Sequence, residues 1–167
     1  MAPTLNHHSM LTQEKLSSGD EAMLLDCARS LMRATQAGSA RSMLRGKKLG
    51  LLCEAEADPE ASLFQRAAVE LGAHVAHLRP SLTVLTSADE IRYTARMLGR
   101  LYDAVNCEGL PMSLVLQVSE GAGIPVFSGL ASSVHPTALL ATRIDGHSSA
   151  DDKRLAVLQA TLLSSIP

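Results

Sequence analysis

The stretch 49–60 has the sequence Leu49-Gly50-Leu51-Leu52-Cys53-Glu54-Ala55-Glu56-Ala57-Asp58-Pro59-Glu60, in which an apolar run passes into the start of an amphipathic helix. The run 49–53 predicts a buried strand, and Asp58 followed by Pro59 predicts an N-cap with a first-turn proline. In an open α/β sheet, such a joint is where anionic ligands bind, on the free N–H groups of the helix start. Residues 53–60, which form this joint, include four acids and no basic residue or glycine. Its position suits a phosphate site, but its chemistry does not.

The rest of the chain alternates between helical and strand patterns. Helices are predicted at 20–37, 59–71, 87–101 and 111–120, and strands at 49–53, 74–78, 103–107 and 124–127. A short helix at 137–142 and an amphipathic helix at 150–166 follow. The buried stripe of the third helix is predicted to comprise Ile91, Ala95, Leu98 and Leu101. This regular alternation predicts a parallel sheet with helices on both faces. Pro125 favours either a sheet edge or a strand start.

Length and composition indicate one compact domain. The chain has 167 residues, of which 46% are hydrophobic and 19% charged, and this length is sufficient for a real core. We expect a flexible segment at 1–19 and a single domain at 20–167. A net charge of −2 and the absence of Trp argue against nucleic acid or an anionic membrane as partners.

Cysteine usage points to a reducing compartment, which we take to be the cytoplasm. The cysteines are Cys27, Cys53 and Cys107. They are widely spaced in apolar contexts and form no CxxC pair, so we expect buried free thiols and no metal or other cofactor. His7-His8 is interpreted as a polar terminus rather than a ligand pair. No apolar run approaches the length of a membrane span, and residues 1–9 lack the pattern of a secretory signal.

Ordered landmarks along the chain resemble those of one enzyme family. They are Arg45-Gly46-Lys47-Lys48-Leu49, the helix and turn at 64–74, the helix at 90–98, the segment 124–130, and His135-Pro136. Together, residues 20–143 resemble the carbamoyl-phosphate-binding half of the aspartate/ornithine carbamoyltransferase family, the ornithine branch most of all. The resemblance implies a three-layer α/β domain with a four-stranded parallel sheet in the flavodoxin-like order 2-1-3-4. The segment 151–163 resembles the family's last helix, which packs back on this domain.

The resemblance also locates the family's anion site, where this chain departs from the family pattern. The phosphate signature Ser-Thr-Arg-Thr-Arg falls on 57–61, the arginine after strand three on Glu108, and the glutamine of His-Pro-x-Gln on Ala138. The positions that correspond to the ligand site are therefore Asp58, Glu60, Glu108, His135 and Pro136. Each lost arginine–phosphate contact is worth about 1.5–3 kcal/mol. We therefore expect that carbamoyl phosphate is not bound.

Two features of this site have two interpretations each. His135 is the residual catalytic candidate, because its family counterpart donates to a carbonyl oxygen; alternatively, His135-Pro136 only shapes the loop after strand four. The acids form either a cation or amine pocket at the carboxyl end of the sheet, or a solvated acidic rim plus an N-cap. These acids are Glu54, Glu56, Asp58, Glu60 and Glu108.

The resemblance implies a family member with its second, amino-acid-binding domain missing and the returning helix kept. Three functions follow. The chain acts as a non-catalytic module that forms oligomers, a trimer by resemblance, or that joins an active relative. Alternatively, it binds or converts an amine, amino acid or cation in a rewritten pocket. A further alternative is a carbamoyltransferase subunit completed by another chain.

Overall fold

The computed structural model describes residues 15–39, 42–55, 57–84 and 86–167. Glu56, His7, His8 and most of the predicted flexible segment 1–19 lie outside these ranges. The elements, in chain order, are α1 (Ser18–Gln36), β1 (Lys48–Leu52), α2 (Pro59–Glu70), β2 (His74–Leu78), α3 (Ala88–Leu101), β3 (Ala104–Cys107), α4 (Met112–Ala122), β4 (Val126–Ser128), a 3-10 helix (Pro136–Arg143) and α5 (Ala150–Ser165). The predicted alternation of helices and strands is confirmed.

The four strands form one parallel sheet in the order β2-β1-β3-β4, as the resemblance implies. Leu52 pairs with Cys107, and Cys107 pairs with Ser128. The carboxyl ends of β1, β3 and β4 are therefore level. Residues that follow these three strands meet at one edge of the sheet, and the candidate site lies there.

Helices cover both faces of the sheet, and each face has its own core. Leu49 and Leu51 of β1 belong to the core that contains α1, α2 and α5. Leu52 belongs, with Val105, to the core that contains α3 and α4. The division follows from the two-residue period of a strand, which turns successive side chains to opposite faces.

Helix α3 differs from its predicted stripe. Ile91, Ala95 and Leu98 are buried, but Leu101 is 55% exposed, and Met97 of the same helix is 43% exposed. Tyr102, just beyond the helix, packs against the core in place of Leu101. With Tyr93, which is 66% exposed, Met97 and Leu101 form an apolar row at four-residue steps, called here the α3 stripe.

Helix α5 packs back on the domain, as expected, and is buried on all sides along most of its length. Every residue from 155 to 162 is buried, and the helix contacts α1, α2 and the 3-10 helix. An all-round buried helix is part of a core rather than a surface layer. The hydrophobic core on the sheet face that carries α1 and α2 therefore includes the buried residues of α5.

Candidate functional site

The start of α2 is capped by its own carboxylate. Asp58 Oδ1 accepts a hydrogen bond from the Glu60 N–H at 2.8 Å and from the Ala61 N–H at 3.1 Å. Pro59, the first helical residue, has no N–H to offer. The predicted N-cap is thus observed, and the two donors that a bound anion would use already bind an anionic group of the same chain.

Glu108 follows β3 directly and is buried, with 4% of its surface exposed. Its Oε1 accepts from Asn106 Nδ2 at 2.7 Å, and Asn106 Oδ1 accepts from the Leu130 N–H at 3.2 Å. Burial raises the pKa of Glu108; the hydrogen bond from Asn106 opposes this rise, and the charges of Glu60 and Asp58 add to it. The interpretation of the acids as a solvated rim is therefore wrong for Glu108. Glu54, in contrast, is exposed.

Arg154 of α5 lies near enough to Glu60 and Glu108 for their charges to act on it, and the site predicted from the sequence did not include it. Its Nη2 donates to the Leu130 carbonyl at 2.8 Å and to the Ser132 carbonyl at 3.3 Å. Burial lowers the pKa of Arg154 to about 10, while the charges of Glu60 and Glu108 raise it. Its partners lie more than 20 residues away in the chain, so no local sequence pattern pointed to this contact. The site thus holds a cation from the far end of the chain.

His135 caps the 3-10 helix and is 1% exposed. Its Nδ1 accepts from the Thr137 N–H at 3.3 Å and lies 2.9 Å from Thr137 Oγ1, which itself accepts from Arg154 Nη1 at 3.2 Å. This network assigns the acceptor role to Nδ1 and leaves the proton of a neutral ring on Nε2. Pro136 begins the helix at a position that needs no N–H. The loop-shaping role is observed, and the tautomer is also the one that an oxyanion donor needs.

The three cysteines are free, as predicted; Cys53 and Cys107 are buried and Cys27 is half-buried. Burial raises the pKa of Cys107 to about 12, and the charge of Glu108 adds to the rise. Burial also raises the pKa of Cys53, although its thiol lies 3.3 Å from the Ala55 carbonyl oxygen. Thiols with raised pKa values stay protonated at neutral pH, so these two are poor nucleophiles.

Within the described part of the chain, no three His, Cys, Asp or Glu side chains converge in a way that suits a metal ion. None of its helices combines the length and apolar character needed to cross a bilayer.

Comparisons with known proteins agree with the fold and the landmarks. The family model described as aspartate/ornithine carbamoyltransferase, carbamoyl-P binding domain, matches residues 8–144. The ornithine carbamoyltransferase of Actinobacillus pleuropneumoniae serotype 5b (strain L20) is 36% identical over 141 residues, which are 84% of this chain and 42% of that protein. The corresponding enzyme of Cutibacterium acnes is 35% identical over the same shares. The chain thus spans less than half the length of these relatives.

Solved structures show the same fold. The ornithine carbamoyltransferase from Gloeobacter violaceus aligns with a TM-score of 0.58 and 28% identity, covering 84% of this chain and 42% of that one. The Pyrococcus furiosus enzyme, at 22% identity, aligns with a TM-score of 0.66 over 85% of this chain and 44% of its own. Family model, relatives and fold lead to one conclusion. The chain belongs to the aspartate/ornithine carbamoyltransferase family and contains its carbamoyl-phosphate-binding domain.

Proposed function

We propose that this chain is a carbamoyltransferase-like module that does not bind carbamoyl phosphate and works through protein–protein contacts. It forms a homo-oligomer, a trimer by analogy with its family, or joins an active relative. The observation that carries this proposal is the Asp58 carboxylate on the Glu60 and Ala61 N–H groups. A module with its anion site filled from within keeps the family fold but not the family ligand.

The electrostatics of the joint support the loss of the ligand. A phosphate dianion at the helix start would have to displace Asp58 and would face Glu60 and the buried Glu108. Two like charges about 6 Å apart repel by roughly 3 kcal/mol at an effective dielectric constant of about 20. Arg154 offsets part of this repulsion, but three of its N–H groups are already donated to Leu130, Ser132 and Thr137.

The α3 stripe supports a role in protein contact. Tyr93, Met97 and Leu101 expose large apolar side chains in one row, and Arg96 and Arg100 of the same helix are also exposed. Apolar rows with a basic border suit a partner helix that carries apolar residues flanked by acids. This surface is the module's contact site.

A binder of amines, amino acids or cations is the second candidate, favoured by the electrostatic coupling of Asp58, Glu60 and Glu108. The charge of Arg154 next to the same acids weighs against it. A thermal-shift screen with amines, amino acids and divalent metals discriminates: a stabilisation abolished by Glu60→Gln but not by Glu54→Gln supports a rewritten pocket. Completion by another chain remains the third proposal and requires carbamoyl phosphate to bind.

Calorimetry with carbamoyl phosphate tests the loss of the ligand. We expect no heat of binding at millimolar ligand, with the Actinobacillus pleuropneumoniae ornithine carbamoyltransferase as the positive control. The matched variant restores the family residues at all five positions and should gain affinity; its substitutions are Ala57→Ser, Asp58→Thr, Pro59→Arg, Glu60→Thr and Ala61→Arg. Saturable binding to the unmodified chain would contradict the proposal.

Size-exclusion chromatography with light scattering tests the contact role. We expect the chain to form an oligomer or to capture a family relative, and Met97→Glu to weaken that association. Leu139→Glu is the matched control, because Leu139 is a highly exposed apolar residue outside the α3 stripe. A chain that stays monomeric and captures no relative would contradict the contact role, and equal effects of the two variants would contradict the surface.

A further inference from the structure

A continuous chain of hydrogen bonds joins Glu108 to α5 at the carboxyl-terminal edge of the sheet. Glu108 Oε1 accepts from Asn106 Nδ2 at 2.7 Å, and Asn106 Oδ1 accepts from the Leu130 N–H at 3.2 Å. The Leu130 carbonyl in turn accepts from Arg154 Nη2 at 2.8 Å. The end of β3, the segment after β4 and the start of α5 therefore belong to one network.

The segment 129–135, called here the strap, forms the middle of this network. Its first residue, Gly129, directly follows β4 and has a φ of 57°, a conformation that residues other than glycine rarely adopt. The Gly129 N–H donates to the Cys107 carbonyl at 2.8 Å. At the other end, His135 caps the 3-10 helix. The strap thus starts at a glycine turn and ends at a helix cap.

The strap is held from two sides. On the β3 side, the Ala131 N–H donates to the Glu108 carboxylate, next to the Leu130 N–H on Asn106. On the α5 side, Arg154 Nη2 donates to the carbonyls of Leu130 and Ser132. Leu130 and Ala131 are buried, as is Glu108 beneath them. A movement of the strap that breaks these bonds would bring water to the Glu108 carboxyl group.

The closed strap disfavours the ionised form of Glu108. The hydrogen bonds from Asn106 and Ala131 stabilise the carboxylate, but burial, together with the charges of Glu60 and Asp58, raises its pKa overall. The titratable groups that surround Glu108 or belong to the network are Cys53, Asp58, Glu60, Cys107, His135 and Arg154. The pKa of Cys107 is about 12 and that of Arg154 about 10, so neither changes its protonation state in acidic or neutral solution.

We propose that the strap is a proton-controlled lid over the carboxyl-terminal edge of the sheet and that Glu108 is the group that senses the proton. A protonated Glu108 stays buried, and the strap stays closed over it. An ionised Glu108 gains hydration when the strap opens, so a rise in pH increases the open fraction. The proposal depends neither on the oligomeric state nor on the loss of carbamoyl phosphate.

The direction follows from proton linkage. Opening exposes Glu108 and returns its pKa towards the ordinary value of 4.5. Between 4.5 and the raised pKa, the closed state therefore holds more protons than the open state, and acidification favours closure. One proton changes the opening equilibrium by up to about tenfold per pH unit.

Hydrogen exchange of the Leu130 and Ala131 amides, corrected for the intrinsic pH dependence of exchange, measures the opening by NMR. We expect both amides to be less protected at neutral pH than that of Val118, buried in α4. Their opening constant should fall by up to about tenfold per pH unit on acidification. Glu108→Gln should remove this dependence. Glu54→Gln is the matched control, because it removes an exposed acid that follows β1, and it should keep the dependence.

Three results would overturn the lid. Protection of Leu130 and Ala131 equal to that of Val118 at every pH would mean that the strap opens only when the whole domain unfolds. A pH dependence that persists in Glu108→Gln would assign the proton to another group, such as His135. The carbon-13 shift of the Glu108 carboxyl group in the unmodified chain needs no substitution, and we expect a midpoint above 4.5; a midpoint at or below that value would remove the driving force.

Discussion

The cap on α2 gives the sharpest test of how the joint after β1 is built. Asp58→Ala removes one carboxylate oxygen that accepts two N–H groups, at 2.8 and 3.1 Å. Losing an N-cap side chain costs about 0.5–2 kcal/mol, and losing a negative charge at a helix start costs about 0.3–1 kcal/mol more. Because Asp58 is half-buried and caps two donors, we expect a loss of about 2 kcal/mol in the free energy of unfolding.

Urea denaturation followed by circular dichroism measures this loss. Asp58→Asn keeps the cap but removes the charge, so it should lose less than about 1 kcal/mol. It also removes one of the charges that raise the pKa of Glu108. Glu54→Ala is the charge-matched control outside the cap, and we expect an effect below about 0.5 kcal/mol. If Asp58→Ala were as stable as the unmodified chain, or Asp58→Asn as unstable as Asp58→Ala, the cap would not be the function of this side chain.

Three further changes probe the site and the packing. Arg154→Met keeps the side-chain stem but loses the 2.8 Å charge-assisted bond; urea denaturation should show a loss of about 2 kcal/mol, against less than about 1 kcal/mol for Lys153→Met. The pKa of Glu108 is raised in the folded state above its ordinary value of 4.5. The folded chain therefore takes up this proton at a higher pH than the unfolded chain, and protonation of Glu108 stabilises the fold as the pH falls from the raised pKa to 4.5. Glu108→Gln should be more stable than the unmodified chain at pH 7, and this difference should shrink with acidification; a constant difference in denaturation from pH 7 to 4.5 would contradict it. A Cβ on Gly99 would overlap the Ala122 carbonyl oxygen, so Gly99→Ala should lower the free energy of unfolding by about 3 kcal/mol; an unchanged urea midpoint would contradict the close α3–α4 crossing.

Local patterns in the sequence predicted the strand and the helix cap at the site, but they did not predict its buried side-chain contacts. The cap by Asp58 and the strand before it depend on neighbouring residues, so their pattern was sufficient. The contact between Arg154 and the loop carbonyls joins residues far apart in the chain, and no local pattern predicts it. Glu108 appeared to be a surface acid because charged residues are seldom buried. Its burial depends on Asn106, which supplies a donor from within β3.

On α3, the spacing of apolar residues was also insufficient to predict which side chains are buried. Apolar residues at helical spacing indicate a buried face, but they do not distinguish a core from a contact surface. Ile91, Ala95 and Leu98 satisfy the core by themselves, and Tyr102 completes it. Leu101 was assigned to the same face because the helix was expected to bury one broad stripe.

The position of α5 in the chain has a consequence for synthesis on the ribosome. Residues needed for the α3–α4 core extend only to Val126, so that layer has all its parts well before translation of residue 167. The opposite core needs Leu158 and Leu162 to cover Leu24 and Leu49. Until α5 leaves the ribosome, the nascent chain exposes an incomplete apolar face, the kind of surface that binds chaperones or aggregates. We therefore expect biogenesis of this domain to have two stages, in which the α3–α4 layer can form first and the opposite layer forms only after α5 has emerged from the ribosome.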